Sequence, residues 1–327
     1  MSKIRTAVVG LNMGYGHAQA YYLAERSELA YVVDLDESKA ARVAKEFGCK
    51  YATDWTTILD EVDAVSLCTP HHLHASQSLI AIEAGKHVLL EKPLANSEED
   101  CHRVIERAEQ QGVTLMMAYI VRYLPALRRL KEALDSGRYG APISAQCWVQ
   151  GYLEPMPGSW FSKRDMLGGG VLFSHGCHYI DIFIWLLGQP KQVVQFGTRV
   201  GTEWMEGEGT SHSLIEFENG AIGNLVCSWG MKAAAPPAKY QIHTTEGMLV
   251  LDNRMWKVDW VTRNGAETLY ERSADEASKR IRNESYEIEH FLDCIETGKS
   301  PETDGYDTMK SHRAIWAMYR SKGETIL

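Results

Sequence analysis

The 327-residue sequence lacks several features that would direct attention elsewhere. It has no surplus of basic charge: 34 Lys and Arg stand against 43 Asp and Glu, for a net charge of −9. A nucleic-acid partner is therefore not expected, because phosphate backbones are held by basic surfaces. Its seven cysteines, at 49, 68, 101, 147, 177, 227 and 294, are odd in number and include no CxxC pair. Neither a disulfide framework nor a zinc site follows from such spacing, and no metal is expected. Long apolar runs are also scarce. The most apolar stretch, 180–187, is far below the roughly 20 residues that cross a bilayer. Met-Ser-Lys-Ile-Arg leads straight into an apolar strand, so no signal peptide is expected. These absences predict a soluble, cytoplasmic protein with no membrane partner.

What is present is an ordinary globular balance, 45% hydrophobic and 24% charged, in a chain long enough for about two domains. Up to about residue 121, short apolar runs alternate with amphipathic stretches. The runs 4–9, 29–33, 62–68, 87–90 and 113–118 read as strands. The stretches 18–26, 38–47 and 75–84 read as helices. Ser97 with Asp100 resembles a capping box, and the spacing of Cys101, Val104, Ile105 and Ala108 predicts a helix that Gly112 ends. Repeated βα units predict a parallel, doubly wound Rossmann sheet over 1–121.

Beyond that point the pattern changes. A helix is expected over 126–136, then candidate strands at 143–150, 192–200, 212–218, 221–229, 239–244 and 247–251. Hairpin signals stand at Asn219-Gly220 and Asn264-Gly265. Helices are expected at 177–187, 284–297 and 306–320. The expected second domain, 122–327, is α+β with a large, mostly antiparallel open sheet. Helix 306–320 is a candidate to pack back on the first domain.

The first βα turn reads Gly10-Leu-Asn-Met-Gly14-Tyr-Gly16-His17. Glycines here let the chain turn tightly towards a pyrophosphate. The next helix receives that anion on unpaired N–H groups and the positive end of its dipole. Gly10, Asn12, Met13 and Gly14 are thus candidate cofactor-binding residues. Asn12 stands where GxGxxG has its second glycine, and asparagine tolerates a left-handed backbone. Asp34, at the expected end of the second strand, is placed to accept hydrogen bonds from a ribose diol and to repel a 2′-phosphate. NAD is therefore the expected cofactor, with Lys39 softening the preference against NADP.

Two more loops fall at expected carboxyl ends of strands, where open α/β sheets place ligands. One is Cys68-Thr69-Pro70-His71-His72-Leu73-His74; the other is Glu91-Lys92-Pro93. A residue before proline is pushed towards extended geometry, which aims Lys92 at the cleft. Thr69, Pro70, His71, His74, Glu91 and Lys92 join the candidate cofactor contacts. The three histidines have no acidic or cysteine neighbour at ligand spacing, so metal binding is the weaker reading.

These loops, with Gly168-Gly169-Gly170, Gly176-Cys-His178-Tyr-Ile-Asp181 and Trp185-Leu-Leu-Gly188, resemble the glucose–fructose oxidoreductase / inositol dehydrogenase / MocA family. Arg122-Tyr-Leu-Pro125 is similar to the segment that opens that family's second domain. The resemblance implies hydride transfer between a nicotinamide and a secondary alcohol carbon of a sugar or cyclitol. It implies that Lys92 hydrogen-bonds the reacting hydroxyl and that His178 is the general acid/base. It also implies a homodimer or homotetramer packed through the open sheet. Ser174 stands where many members have an aspartate, which leaves the proton path to His175, water or another acid.

Asp181, three residues beyond His178, reads as a substrate contact, an orienter of His178 or a structural helix-end charge. Trp160 and Phe161 suit the rim of a sugar pocket or the core. Arg122, Lys163 and Arg164 are either anchors for an anionic substrate or, with greater weight, solvated loop charges. Two other functions fit the same motifs: an NAD-retaining glycosidase that oxidises its sugar transiently, and a dinucleotide sensor without catalysis. Retention of both Lys92 and His178 argues against the sensor.

Overall fold

The computed structural model describes residues 3–273 and 283–321. Six strands, β1 (Ile4–Val9), β2 (Ser27–Val33), β3 (Lys50–Ala52), β4 (Ala64–Leu67), β5 (His87–Glu91) and β6 (Leu115–Ala118), lie in the order β3-β2-β1-β4-β5-β6. Every pair is parallel. Parallel sheets are covered on both faces, which is why these strands are apolar runs rather than alternating ones. Val8, Val32, Val65, Leu67, Leu89, Leu90, Met116 and Met117 are fully buried.

Helices α1 (Gly14–Leu23), α2 (Glu37–Phe47), α3 (His74–Glu83) and α4 (Glu98–Gln111) connect the strands. Ser97 caps α4 by accepting the Asp100 N–H at 3.1 Å, and Gly112 ends it in the left-handed region, as its residues predict. The strand order reverses between β1 and β4. The carboxyl ends of β1, β4 and β5 therefore border the crevice where doubly wound sheets take their ligands.

The second sheet has eight strands: β7 (Pro142–Gln150), β8 (Pro190–Thr198), β9 (Thr210–Phe217), β10 (Ile222–Ser228), β11 (Tyr240–Thr244), β12 (Met248–Leu251), β13 (Lys257–Thr262) and β14 (Gly265–Glu271). Their order is β14-β13-β12-β11-β7-β10-β9-β8, antiparallel except between β7 and β10. Asn219-Gly220 lies in the turn of the β9–β10 hairpin, and the β13–β14 turn is Arg263-Asn264, one residue before the expected pair, with Gly265 opening β14 opposite Thr262. The same chain segment carries α5 (Pro125–Asp135), the short α6 (Arg164–Leu167) and α7 (Cys177–Leu187). Helix α5 lies against β12, β13 and β14.

Two compact units result: the described parts of Met1–Ile120 with Arg280–Met309, and of Val121–Lys279 with Lys310–Leu327. The second domain is thus not continuous over 122–327, because helix α8 (Glu284–Thr297) folds with the first unit. Its apolar side chains Ile288, Phe291 and Leu292 are buried, it packs against α1, and Arg26 pairs with Glu289, Asp293 and Glu296 on it. The expected helix 306–320 is α9 (Gly305–Arg320), and the division between units falls inside it.

The expectation that no segment approaches bilayer length needs correction. The helical run Arg164–Leu187 is 24 residues long and apolar enough to cross a membrane by length and composition, and 89% of its most apolar window is buried in the protein. A π-helical turn, Leu172–Gly176, makes α7 continuous with the apolar residues before it, which the shorter 180–187 window missed.

Candidate active site

The dinucleotide turn is shaped by what its glycines leave out. Gly10 has φ +88°, and a Cβ there would lie 2.4 Å from the Cys68 carbonyl oxygen. Only glycine allows this approach of β1 to β4. A Cβ on Gly14 would meet Val8 Cγ1 at 2.6 Å, so Gly14 sets the helix close against its own strand. The residue preceding α1, Met13, makes no side-chain cap bond, and it is 63% exposed. The Gly16 N–H bonds back to the Met13 carbonyl at 3.2 Å, so the start of α1 is closed by backbone and carries no side-chain cap at the place where doubly wound folds receive a pyrophosphate.

Asn12 departs from expectation. Among the described residues the only non-glycine with positive φ is Met255, so Asn12 does not supply a left-handed turn. Its side chain instead accepts a hydrogen bond from Lys39 Nζ at 3.0 Å. Asp34 follows β2 as predicted. It accepts from Leu11 N at 2.9 Å and Asp36 N at 3.0 Å, and Lys39 Nζ lies 3.3 Å away. The carboxylate thus ties the turn to β2 and holds an ammonium group beside it.

The loops after β4 and β5 are joined by one side chain. His74 is fully buried; its Nδ1 lies 2.6 Å from the Pro93 carbonyl and its Nε2 2.8 Å from the Thr69 carbonyl. Burial lowers its pKa, against the pull of these two carbonyls. His74 therefore ties the two loops together. His71 is also buried, its ring 5.6 Å from that of His74. Thr69 donates from Oγ1 to Gln77 at 2.5 Å. Lys92 is half-buried, its peptide to Pro93 is cis, and its backbone N–H donates to its neighbour Glu91 Oε2 at 3.1 Å.

The residues singled out in the second unit gather on the helical run. A Cβ on Gly169 would strike Tyr319 at 2.6 Å, one on Gly170 would strike Glu208 at 2.2 Å, and Gly168 ends α6 in the left-handed region at φ +85°, which together account for the glycine triplet. Tyr319 OH accepts from Gly170 N and Phe173 N and donates to Glu208 Oε1 at 2.8 Å, while that oxygen accepts from Leu172 N at 3.2 Å. This knot holds the π-helical turn that carries Ser174 and His175; such turns occur frequently at functional sites.

His175 and His178 have ring centroids 6.3 Å apart. His175 also lies 6.2 Å from Trp229, which neighbours Phe161 at 5.8 Å, and Phe161 packs on Trp160 at 4.1 Å. The half-exposed Trp160, Phe161 and Trp229 continue an aromatic wall from the histidines. Trp229 follows β10, and no sequence signal marked it.

Arg122 and Asp181 are both buried. Arg122 is 3% exposed and Asp181 1%. They form a bidentate pair, Nε to Oδ2 at 2.6 Å and Nη2 to Oδ1 at 2.5 Å. Arg122 is therefore not a solvated loop charge, and of the readings open for Asp181 the structural charge is the one its pairing supports. Lys163 is exposed and paired with Glu206 at 2.8 Å. Among the described residues no three His, Cys, Asp or Glu side chains cluster as a metal site would require.

A parallel sheet with an uncapped helix after its first glycine turn, an acid after β2 and a lysine loop at the switch point defines a nicotinamide-dependent oxidoreductase. Residues 4–119 match the model of the oxidoreductase family with NAD-binding Rossmann fold, and residues 127–250 match the GFO/IDH/MocA C-terminal domain. The chain belongs to the Gfo/Idh/MocA family. It is 30% identical over 305 residues to D-xylose 1-dehydrogenase (NADP(+)) 2 of Haloferax volcanii, covering 91% of this chain and 90% of that one. It is 28% identical to levoglucosan dehydrogenase of Pseudarthrobacter phenanthrenivorans, over 73% of this chain and 70% of that one. The solved structure of a levoglucosan dehydrogenase with NADH and levoglucosan shares the fold, with TM-score 0.86 and 23% identity over 98% and 97% of the two chains.

Proposed function

We propose that this protein oxidises a secondary alcohol, or reduces the matching ketone, of a sugar, cyclitol or related polyol, with NAD preferred over NADP. The observation that carries the reading is the Glu91-Lys92-Pro93 loop at the carboxyl end of β5, tied by His74 to the loop after β4. The relatives named above act on D-xylose and levoglucosan.

The residues fit a dinucleotide: Gly10 leaves room for the turn, the start of α1 carries no side-chain cap, and Asp34 offers a carboxylate at the end of β2. When bound, the nicotinamide supplies the hydride acceptor or donor. Lys92 hydrogen-bonds the reacting hydroxyl and aligns it. His178 takes the hydroxyl proton in oxidation and returns it in reduction. Trp160, Phe161 and Trp229 offer apolar faces to sugar rings, and Ser174 and His175 contribute polar contacts. Seven free cysteines fit a reducing, cytoplasmic setting. The open face of the second sheet leaves Phe196, Leu214 and Ile222 about half exposed or more, which supports a homodimer or homotetramer built there.

The test is a panel of levoglucosan, D-xylose, scyllo-inositol and glycosides offered with NAD and NADP to the purified protein. Nicotinamide reduction with at least one polyol is the expected result. Glycoside hydrolysis without net nicotinamide reduction would replace this reading with the NAD-retaining glycosidase.

A further inference from the structure

Beneath the dinucleotide turn lies a group of buried polar side chains that the mechanism above does not use. His17 of α1 is 1% exposed. Its Nε2 is 3.4 Å from Glu91 Oε1 and 3.8 Å from Glu287 Oε1, and its Nδ1 is 3.3 Å from Ser66 Oγ. Ser66 is in turn bonded to Tyr21 OH at 2.9 Å. The Cys68 thiol also faces the ring. Gly16 opens the way for helix α8, because a Cβ there would lie 2.2 Å from Glu284 Oε1. Four elements thus converge on one imidazole: α1, the end of β4, the end of β5 and α8.

We propose that His17, backed by Glu287, braces the Glu91 carboxylate that holds the Lys92 peptide, and so acts as a positioning residue for Lys92. The proposal rests on the catalytic reading of Lys92 given above. Glu91 uses both oxygens: Oε1 faces His17, and Oε2 accepts the Lys92 N–H at 3.1 Å. A displaced imidazole would free that carboxylate to rotate, and the lysine peptide would lose its fixed acceptor.

Charge supports the arrangement. Two carboxylates and one ring in a dry site are tolerable only if they neutralise one another. Burial pushes the Glu287 carboxyl well above its usual range. Burial alone would lower the His17 pKa, but Cys68, Glu91 and Glu287 together hold it well above its ordinary value. Helix α8, far along the chain, thereby supports the loop that carries Lys92.

The test needs no substrate. Trace labelling with acetic anhydride, read by mass spectrometry, gives the reactivity of Lys92 relative to the exposed Lys232. In His17→Gln and in Glu91→Gln the ratio is expected to rise about fivefold, the scale of one lost hydrogen bond. The double variant should match the larger single effect, because the residues act as a unit. An unchanged ratio in folded His17→Gln would overturn the proposal. If that variant does not fold, an unchanged ratio in Glu91→Gln has the same force. Full turnover in Lys92→Met would instead remove the catalytic reading of Lys92 and leave the labelling result standing.

Discussion

At the scale of single residues, partners decide what a charge does. Asp34 holds the turn through Leu11 N and keeps Lys39 beside it. Asp34→Ala removes the ribose acceptor and releases the ammonium group, so NAD should bind about tenfold more weakly while NADP changes less. Fluorescence titration with each reduced cofactor measures the difference; equal losses would refute the ribose contact. Asp181 pairs with Arg122 in the core, and its removal leaves a buried cation. Asp181→Asn should lose about 3–5 kcal/mol in chemical denaturation. Lys163→Ala, which breaks an exposed pair, should lose less than about 1 kcal/mol. The sequence displays Arg122 and Asp181 59 positions apart but not that they meet, because such pairing is a tertiary contact. Lys92 and His178 drew attention through their motifs. His17 and Glu287 did not, since nothing local distinguishes a buried imidazole or carboxylate from an exposed one.

At the scale of elements, local chemistry was the most legible part. The Ser97 cap, the Gly112 stop and the Asn219-Gly220 turn are where their residues place them, because each depends only on nearby backbone. Strands β13 and β14 were not anticipated although a turn between them was signalled. The π-helical turn was not legible either. It is held by Glu208 and Tyr319, which come from distant parts of the chain. Burial pushes the Glu208 carboxyl above its usual range. Its folded pKa is thus raised over the unfolded value, so its stabilising effect is complete below the unfolded pKa and is lost as pH rises through the folded one. The Tm of the wild type relative to Glu208→Gln should accordingly fall as pH rises above the ordinary carboxylate range. A difference independent of pH would show that Glu208 stays ionised in the fold.

At the scale of the molecule there are two compact units, and the chain returns from the second to lay α8 on the first. The alternation along the second segment foretold a mostly antiparallel sheet, while a second copy on its open face was implied by the family resemblance alone. Leu214 stands on that face, opposite Val194 and Asn224 in neighbouring strands. Leu214→Glu should shift the protein to monomer in sedimentation velocity, and an unchanged assembly would place the interface elsewhere. The central claim is hydride transfer to a nicotinamide under the control of Lys92. It is tested most directly by the absorbance of reduced nicotinamide when wild type and Lys92→Met are given NAD and the polyol that turns over fastest. The account predicts that the variant loses turnover at least about a thousandfold while its affinity for NADH stays within about tenfold. Turnover by Lys92→Met at the wild-type rate would contradict it.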